Sequence, residues 1–256
     1  MKIENIAIQL YTLRDFIRTP ADITATLKRV AQIGYRAVQV SGMGPIDESE
    51  LVAICQGEGL TICATHEPGD VILKSPEKVV ERLSRLGCKY TAYPFPAGID
   101  FANEASVQGL ISGLDKSGAV LADAGQTLLY HNHAHEFIHC GGRTILERIY
   151  AETDPRNLAA EPDTYWVQYG GGDPVTWIEK LDGRVPVLHC KDYVVESPDK
   201  PRFAEVGYGN LNWSAIVAAA EKAGTEWFVV EQDTCPGDPF ESIQLSFDYL
   251  SKTFVS

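Results

Sequence analysis

The sequence predicts an α/β fold, a single (β/α)8 TIM barrel running over residues 1–256. Three observations lead there. Strand-like and helix-like stretches alternate along the whole chain, which implies parallel pairing through right-handed crossovers. The junctions repeat: a helix-like stretch ends in Gly and a short apolar run follows, at Gly34, Gly59, Gly87, Gly125 and Gly224. A chain of 256 residues, 45% hydrophobic and 22% charged, has the length and core material of one such barrel. An open doubly wound sheet is the alternative.

Taken in order, the apolar runs place strands near 4–11, 35–41, 60–66, 89–94, 126–133, 157–163, 185–191 and 226–232. Helices fall near 20–33, 47–58, 76–86, 104–124, 143–152, 174–181, 212–223 and 239–252. Their apolar faces follow a 3.6-residue period, as in Ile23, Leu27 and Val30, or Val79, Leu83 and Leu86. Thr19-Pro20, Ser75-Pro76, Asp173-Pro174 and Asp238-Pro239 each set an N-cap residue before a proline suited to the first helical turn. No internal linker or second domain is visible.

Composition narrows the function. The net charge of −13 disfavours nucleic acid as a partner. No stretch approaches the ~18–20 apolar residues of a membrane span, and residues 1–12 lack the features of a secretion signal. The six cysteines contain no CxxC pair and read as buried thiols of a cytoplasmic protein. The oligomeric state is open.

In a barrel of this kind the chemistry sits where strands end. The fifth strand ends in YHNHAHEF (130–137), the sixth in AAEPDTYW (159–166), the seventh in VLHCKD (187–192) and the eighth in VVEQD (229–233). Side-chain alternation lets His131, Asp163, His189 and Glu231 face inward together. Singly, each is more often a rim, core or capping residue. On four adjacent strand ends they form a ligand set for a divalent metal such as Mn, Co, Zn or Mg. Glu161 lies on the face of Asp163 one layer deeper, as a partner behind the ligands. Lys191 shares the face of His189, either to stabilise substrate charge or to pair with Asp192. His66, Gln9, Tyr11 and Trp166 stand at other strand ends as candidate substrate-binding residues, with plain packing as the alternative for Trp166. Gly207-Tyr208-Gly209 is a weaker candidate for a backbone or phosphate cradle, and Gly170-Gly171-Gly172 reads as a flexible loop.

These motifs, with IAIQLYTLR (6–14), EPDTYWVQYGGGDP (161–174), FAEVGYGNLNW (203–213) and EWFVVEQD (226–233), resemble the xylose isomerase-like TIM barrels, the sugar phosphate isomerase/epimerase family, nearly end to end. The resemblance implies a metal held by Glu, Asp, His and Glu on strands five to eight. Asp163, His189 and Glu231 match the last three, whereas His131 stands where a Glu is expected. It also implies two carboxylates as an acid/base pair, of which Glu231 remains. His133 or Glu136 is then the second proton-transfer group, with Glu136 as an alternative metal ligand. The expected activity is isomerisation or epimerisation of a small-molecule carbohydrate through a metal-stabilised enediolate. The alternative is a lyase or hydrolase, an inosose-type dehydratase or a 3-keto-glycoside cleaving enzyme, which loss of the first carboxylate favours. A DNA-repair nuclease of the same family is disfavoured by the charge and by Trp166, where a further His is expected. A non-catalytic, sugar-binding barrel is disfavoured by the complete ligand set.

Overall fold

The computed structural model describes residues 1–198 and 200–255. Its frame is eight parallel strands: β1 (Ile6–Gln9), β2 (Ala37–Val40), β3 (Thr61–His66), β4 (Tyr90–Tyr93), β5 (Thr127–His131), β6 (Leu158–Glu161), β7 (Val187–Cys190) and β8 (Trp227–Val230). They pair in the order β6-β5-β4-β3-β2-β1-β8-β7. Only the β6–β7 seam lacks a full ladder. There a single bridge joins Asp163 to His189, and the His189 amide donates to the Pro162 carbonyl at 2.9 Å. The Thr164 hydroxyl, bonded to the carbonyls of His189 and Lys191, secures the seam further. The expected barrel is present and the open sheet is not.

Helices α1 (Pro20–Ile33), α2 (Glu48–Gly57), α3 (Gly69–Lys74), α4 (Pro76–Leu86), α5 (Glu104–Asp123), α6 (Ile145–Ala151), α7 (Thr164–Tyr169), α8 (Pro174–Lys180), α9 (Trp213–Lys222) and α10 (Pro239–Phe254) surround the strands. The eight expected helices are among them; α3 and α7 are additional short turns. Thr19, Asp173 and Asp238 cap as their sequence pattern implies. Ser75 makes no side-chain cap, because it joins α3 directly to α4. All five junction glycines adopt positive φ. Gly34 has a second reason to be glycine, since a Cβ there would stand 2.5 Å from the Phe247 ring.

The strands are shorter than their apolar runs. Residues 10–16 wind into 3-10 turns rather than extending β1, and β5 stops at His131 before a 3-10 turn over His135–Phe137. Two hairpins interrupt the βα rhythm, His139–Cys140 with Arg143–Thr144 and Asp192–Ser197 with Lys200–Ala204. Among the described residues, no helix is long and apolar enough to cross a membrane, and all six cysteines are free.

Two apolar layers flank the strands. The outer one packs the helices; the inner one is Ala7, Ala37, Cys63, Ala64, Tyr90, Ala92, Leu129, Ala159, Val187 and Val229. Its small side chains make a low floor. Two residues further along seven of the eight strands the inward positions turn polar: Gln9, Gln39, His66, His131, Glu161, His189 and Glu231, whereas β4 leads to Pro94.

Two glycines of α5 separate packing from propensity. A Cβ at Gly118 would lie 2.0 Å from the Asn157 carbonyl oxygen, whereas one at Gly109 meets nothing within 4 Å. Gly118→Ala should therefore cost about 1–3 kcal/mol. Gly109→Ala should add about 0.5–1 kcal/mol. Thermal denaturation of the two variants, shifting in opposite directions, checks both.

Candidate active site

The polar layer encloses the foot of a cavity of about 560 Å³ lined by Tyr11, Arg14, Ser41, His66, Pro94, Phe95, His131, His133, Lys191, Glu231, Asp233 and Thr234. Ligand atoms of His131, Asp163, His189 and Glu231 all lie within 4.8 Å of one another, and all four residues are buried. Two of their atoms, His131 Nδ1 and Asp163 Oδ2, are buried without a hydrogen-bond partner. Asp163 Oδ2 has only the Lys191 ammonium within ion-pair range at 3.3 Å and His189 Nδ1 at 3.9 Å. Unsatisfied buried atoms in a mixed nitrogen and oxygen set fit a borderline divalent cation.

A second quartet, His66, His131, Glu161 and His189, overlaps the first. It is the poorer cation site, because Glu161 is already engaged. Gln39 Nε2 donates to its Oε1 at 2.5 Å, and His66 Nε2 lies 2.6 Å from Oε2. Its role is to orient the imidazoles. His189 Nε2 meets Gln39 Oε1 at 2.6 Å and Glu161 Oε2 at 3.4 Å, which leaves Nδ1 facing Glu231 at 3.0 Å. Gln39 is a functional residue the sequence reading missed; a glutamine inside an apolar strand gives no signal of its own.

Charge is concentrated on one side. The Lys191 ammonium, 1% exposed, lies 2.9 Å from Glu231 Oε2 and 2.9 Å from Asp233 Oδ2. Burial alone would lower the Lys191 pKa, but Asp163, Glu231 and Asp233 raise it. Burial likewise works to raise Glu231, and Lys191 and His189 hold it well below the usual carboxylate range. Asp163 stays raised, chiefly by burial. Burial would lower His189, yet Glu161 and Glu231 lift it to about 10. His131 and His133 go the other way: burial lowers both, His133 to about 4. Asp233 was also missed by sequence, although its spacing of two from Glu231 marks the same face.

The remaining expected residues divide. His66 and Tyr11 line the cavity. Gln9 does not: it is fully buried beneath, donating to Gln39 and His66. Trp166 lies behind His133, ring centroids 5.3 Å apart, and lines a neighbouring cavity. Glu136 is fully buried and turned away, accepting from the Tyr130 hydroxyl at 2.9 Å and the His133 amide at 2.8 Å. It anchors the loop that presents His133.

Three further expectations are corrected. Lys191 does not pair with Asp192, whose carboxylate points the opposite way. The Gly207-Tyr208-Gly209 loop is no ligand cradle, because Asp192 fills it, accepting from Gly207, Gly209 and Leu211 amides and from Trp213 Nε1 at 2.6 Å. Gly170-Gly171-Gly172 is a packed turn rather than a flexible loop: a Cβ at Gly170 or Gly172 would meet the Phe137 ring at 2.3 or 2.8 Å.

Residues 27–253 match the xylose isomerase-like TIM barrel family. An inosose dehydratase of Geobacillus thermodenitrificans is 29% identical over 161 residues, 56% of this chain and 53% of that protein. The chain thus spans about half the length of that relative. An inosose dehydratase of Geobacillus kaustophilus is 22% identical over 265 aligned positions, covering 88% of this chain and 85% of its own. A sugar phosphate isomerase/epimerase from Parabacteroides distasonis superposes with a TM-score of 0.83 at 22% identity, over 99% of this chain and 96% of its own, a likeness of fold.

The Asp192 cradle should be structural. Asp192→Ala strands several buried donors and should lower stability by about 3 kcal/mol or more. Urea denaturation reads this, and a change under ~0.5 kcal/mol would show that water replaces the carboxylate without loss.

Proposed function

The chain belongs to the xylose isomerase-like TIM barrel family, and from that premise we propose that it is a divalent-metal-dependent lyase of inosose-dehydratase type. Its reaction is elimination of the oxygen substituent β to a ketone on a cyclitol or sugar ring. One observation carries the choice of elimination over two-base epimerisation. The only carboxylates lining the cavity, among the described residues, are Glu231 and Asp233, and both lie past β8 and bond Lys191. Epimerisation by two bases places a proton-transfer group on each face of the substrate, and only one face of this cavity carries carboxylates. Elimination is served by one group that takes the carbon proton and returns it to the leaving oxygen. The relatives named inosose dehydratase favour the same reading; isomerisation or epimerisation, the activity expected from sequence, stands second.

His131, Asp163, His189 and Glu231 are the residues that would hold the cation. When bound, it supplies a Lewis acid that acidifies the carbon beside a ketone. The chain's own residues do the rest. Burial keeps His133 unprotonated at neutral pH, so it accepts the carbon proton. The imidazolium so formed donates that proton to the departing oxygen. Lys191, fixed between Glu231 and Asp233, keeps positive charge against the side where negative charge develops. Phe95 and His133 both line the cavity, their rings edge-on at 5.4 Å.

Four outcomes test this reading. Chelation should abolish turnover and lower the melting temperature, with Mn²⁺ or Co²⁺ restoring both. Elemental analysis should find metal lost from His131→Ala, Asp163→Ala, His189→Ala and Glu231→Ala, each still folded by circular dichroism. His133→Ala should keep its metal and lose about 10²–10⁴ in kcat. With a keto-cyclitol as substrate, mass spectrometry should find a product lighter by one water; a product of unchanged mass would replace the lyase by an isomerase or epimerase.

A further inference from the structure

The segment after β5 carries a second group of cation ligands, distinct from the quartet at the foot of the cavity. Ligand atoms of His133, His135 and Glu136 all lie within 4.8 Å of one another. The chain brings them together as it leaves β5 and winds into the 3-10 turn His135–Phe137. Among the described residues, His133 Nδ1 and His135 Nε2 are buried without a hydrogen-bond partner. His135 Nε2 lies 3.4 Å from Glu136 Oε1, within ion-pair range but not aligned as a hydrogen bond. The two imidazoles are stacked, 6° from parallel, with centroids 5.3 Å apart. Two imidazoles on one tetrahedral Zn²⁺, with Zn–N of about 2.0–2.1 Å, stand about 5 Å apart. Glu136 is already oriented: one oxygen accepts from the Tyr130 hydroxyl and the other from the His133 amide, and each keeps a free lone pair. Phe95 stands edge-on to both rings, at 5.4 and 5.2 Å, and Phe101 lies 5.5 Å from that of His135. The His135 side chain is 32% exposed, which gives an ion a path from solvent.

Two ring nitrogens and a carboxylate suit a borderline cation such as Zn²⁺ better than Mg²⁺, which favours oxygen ligands and water. We propose that His133, His135 and Glu136 form a second Zn²⁺ site, and that zinc bound there switches the enzyme off by occupying His133. Three protein ligands against the four of the quartet make it the weaker site, filled only when zinc is in excess. His133 belongs to both places: it lines the catalytic cavity, and its Nδ1 is one of the two unmatched nitrogens. An imidazole bound to a metal through Nδ1 carries its remaining ring proton on Nε2. No lone pair is then left to accept the proton of the substrate carbon. The inhibition rests on the elimination reading, in which His133 carries that proton; the site itself does not.

The experiment counts bound zinc and follows turnover on the same preparations of the full chain. After equilibrium dialysis against excess Zn²⁺, the unmodified chain should hold two ions. His135→Ala should hold one, as should His135→Gln, which keeps a side chain of similar reach. Asp163→Ala, with the quartet broken, should still take one, and adding His135→Ala to it should remove that ion. One ion in the unmodified chain, or two in both His135 variants, overturns the site. Turnover of a keto-cyclitol should fall roughly 10²-fold as the second ion binds, whereas the His135 variants should lose no turnover to the same zinc. An equal fall in all three places the inhibition at the quartet and overturns the switch. A second ion that binds without slowing turnover also overturns the switch, and removes His133 as the proton carrier while the site stands. If no keto-cyclitol is turned over at any zinc concentration, the elimination reading and the switch fall together, and the ion count still decides the site.

Discussion

The buried carboxylate of Glu161 is the constraint around which the site is arranged. It is fully excluded from water at the centre of the barrel, where an unpaired charge would cost several kcal/mol, about 3–5 when a partner is removed. The surrounding inward residues meet that cost. Gln39 and His66 bond its two oxygens, and His131 and His189 stand 3.5 and 3.4 Å away. Burial pushes the carboxyl up, but His189 and His66 prevail and hold it well below its usual range. Once Glu161 is ionised, other choices follow. His66 presents Nε2–H to it, so its Nδ1 accepts from Gln9. Gln39 gives its N–H to Glu161, so its oxygen is free for Gln9 and His189. Amide and imidazole orientations are thereby fixed in a closed chain, and His189 Nδ1 is left facing Asp163 and Glu231.

The seam of the barrel falls at the same place. β6 and β7 do not zip together; Asp163 and His189 make the single bridge. Asn132 reaches across from β5, accepting from the Asp163 amide at 3.2 Å. The site therefore borrows its rigidity from the loops that close the barrel rather than from a ladder. This explains the packing of Gly170 and Gly172 on Phe137: the turn after α7 must lie close to the His135–Phe137 segment, where only hydrogen fits.

Much of this was legible in the sequence because strand periodicity is local. Ala7 to Gln9, Ala64 to His66, Leu129 to His131, Ala159 to Glu161, Val187 to His189 and Val229 to Glu231 each step two residues from apolar floor to polar ring, and alternation alone brings these residues to one end of the barrel. What was hidden depends on tertiary partners. Nothing local says that Asp192 turns from Lys191 into the amides of residues 207–211, where it takes the place of an external anion. Nothing local says that the amide of His133 captures Glu136 and removes it from the cavity. Strand ends were overdrawn for the same reason: the apolar run continues while the backbone already bends to a loop partner.

Charge gives a physical reason for an imidazole at position 131. Asp163, Glu231 and Asp233 surround Lys191. Three carboxylates face one ammonium there, an excess of acidic groups that suits a cation. A fourth carboxylate at 131 would sit beside Glu161, itself already buried and charged, and would put two like charges where His131 Nδ1 now lies 3.5 Å from Glu161 Oε2. A neutral imidazole avoids that repulsion and still offers a ligand atom. The same substitution takes away a base on the strand-five side and leaves His133, one layer higher, as the group there able to move a proton. Lys191 and His131 thus both limit the build-up of negative charge that Glu161, Asp163 and Glu231 create in the barrel.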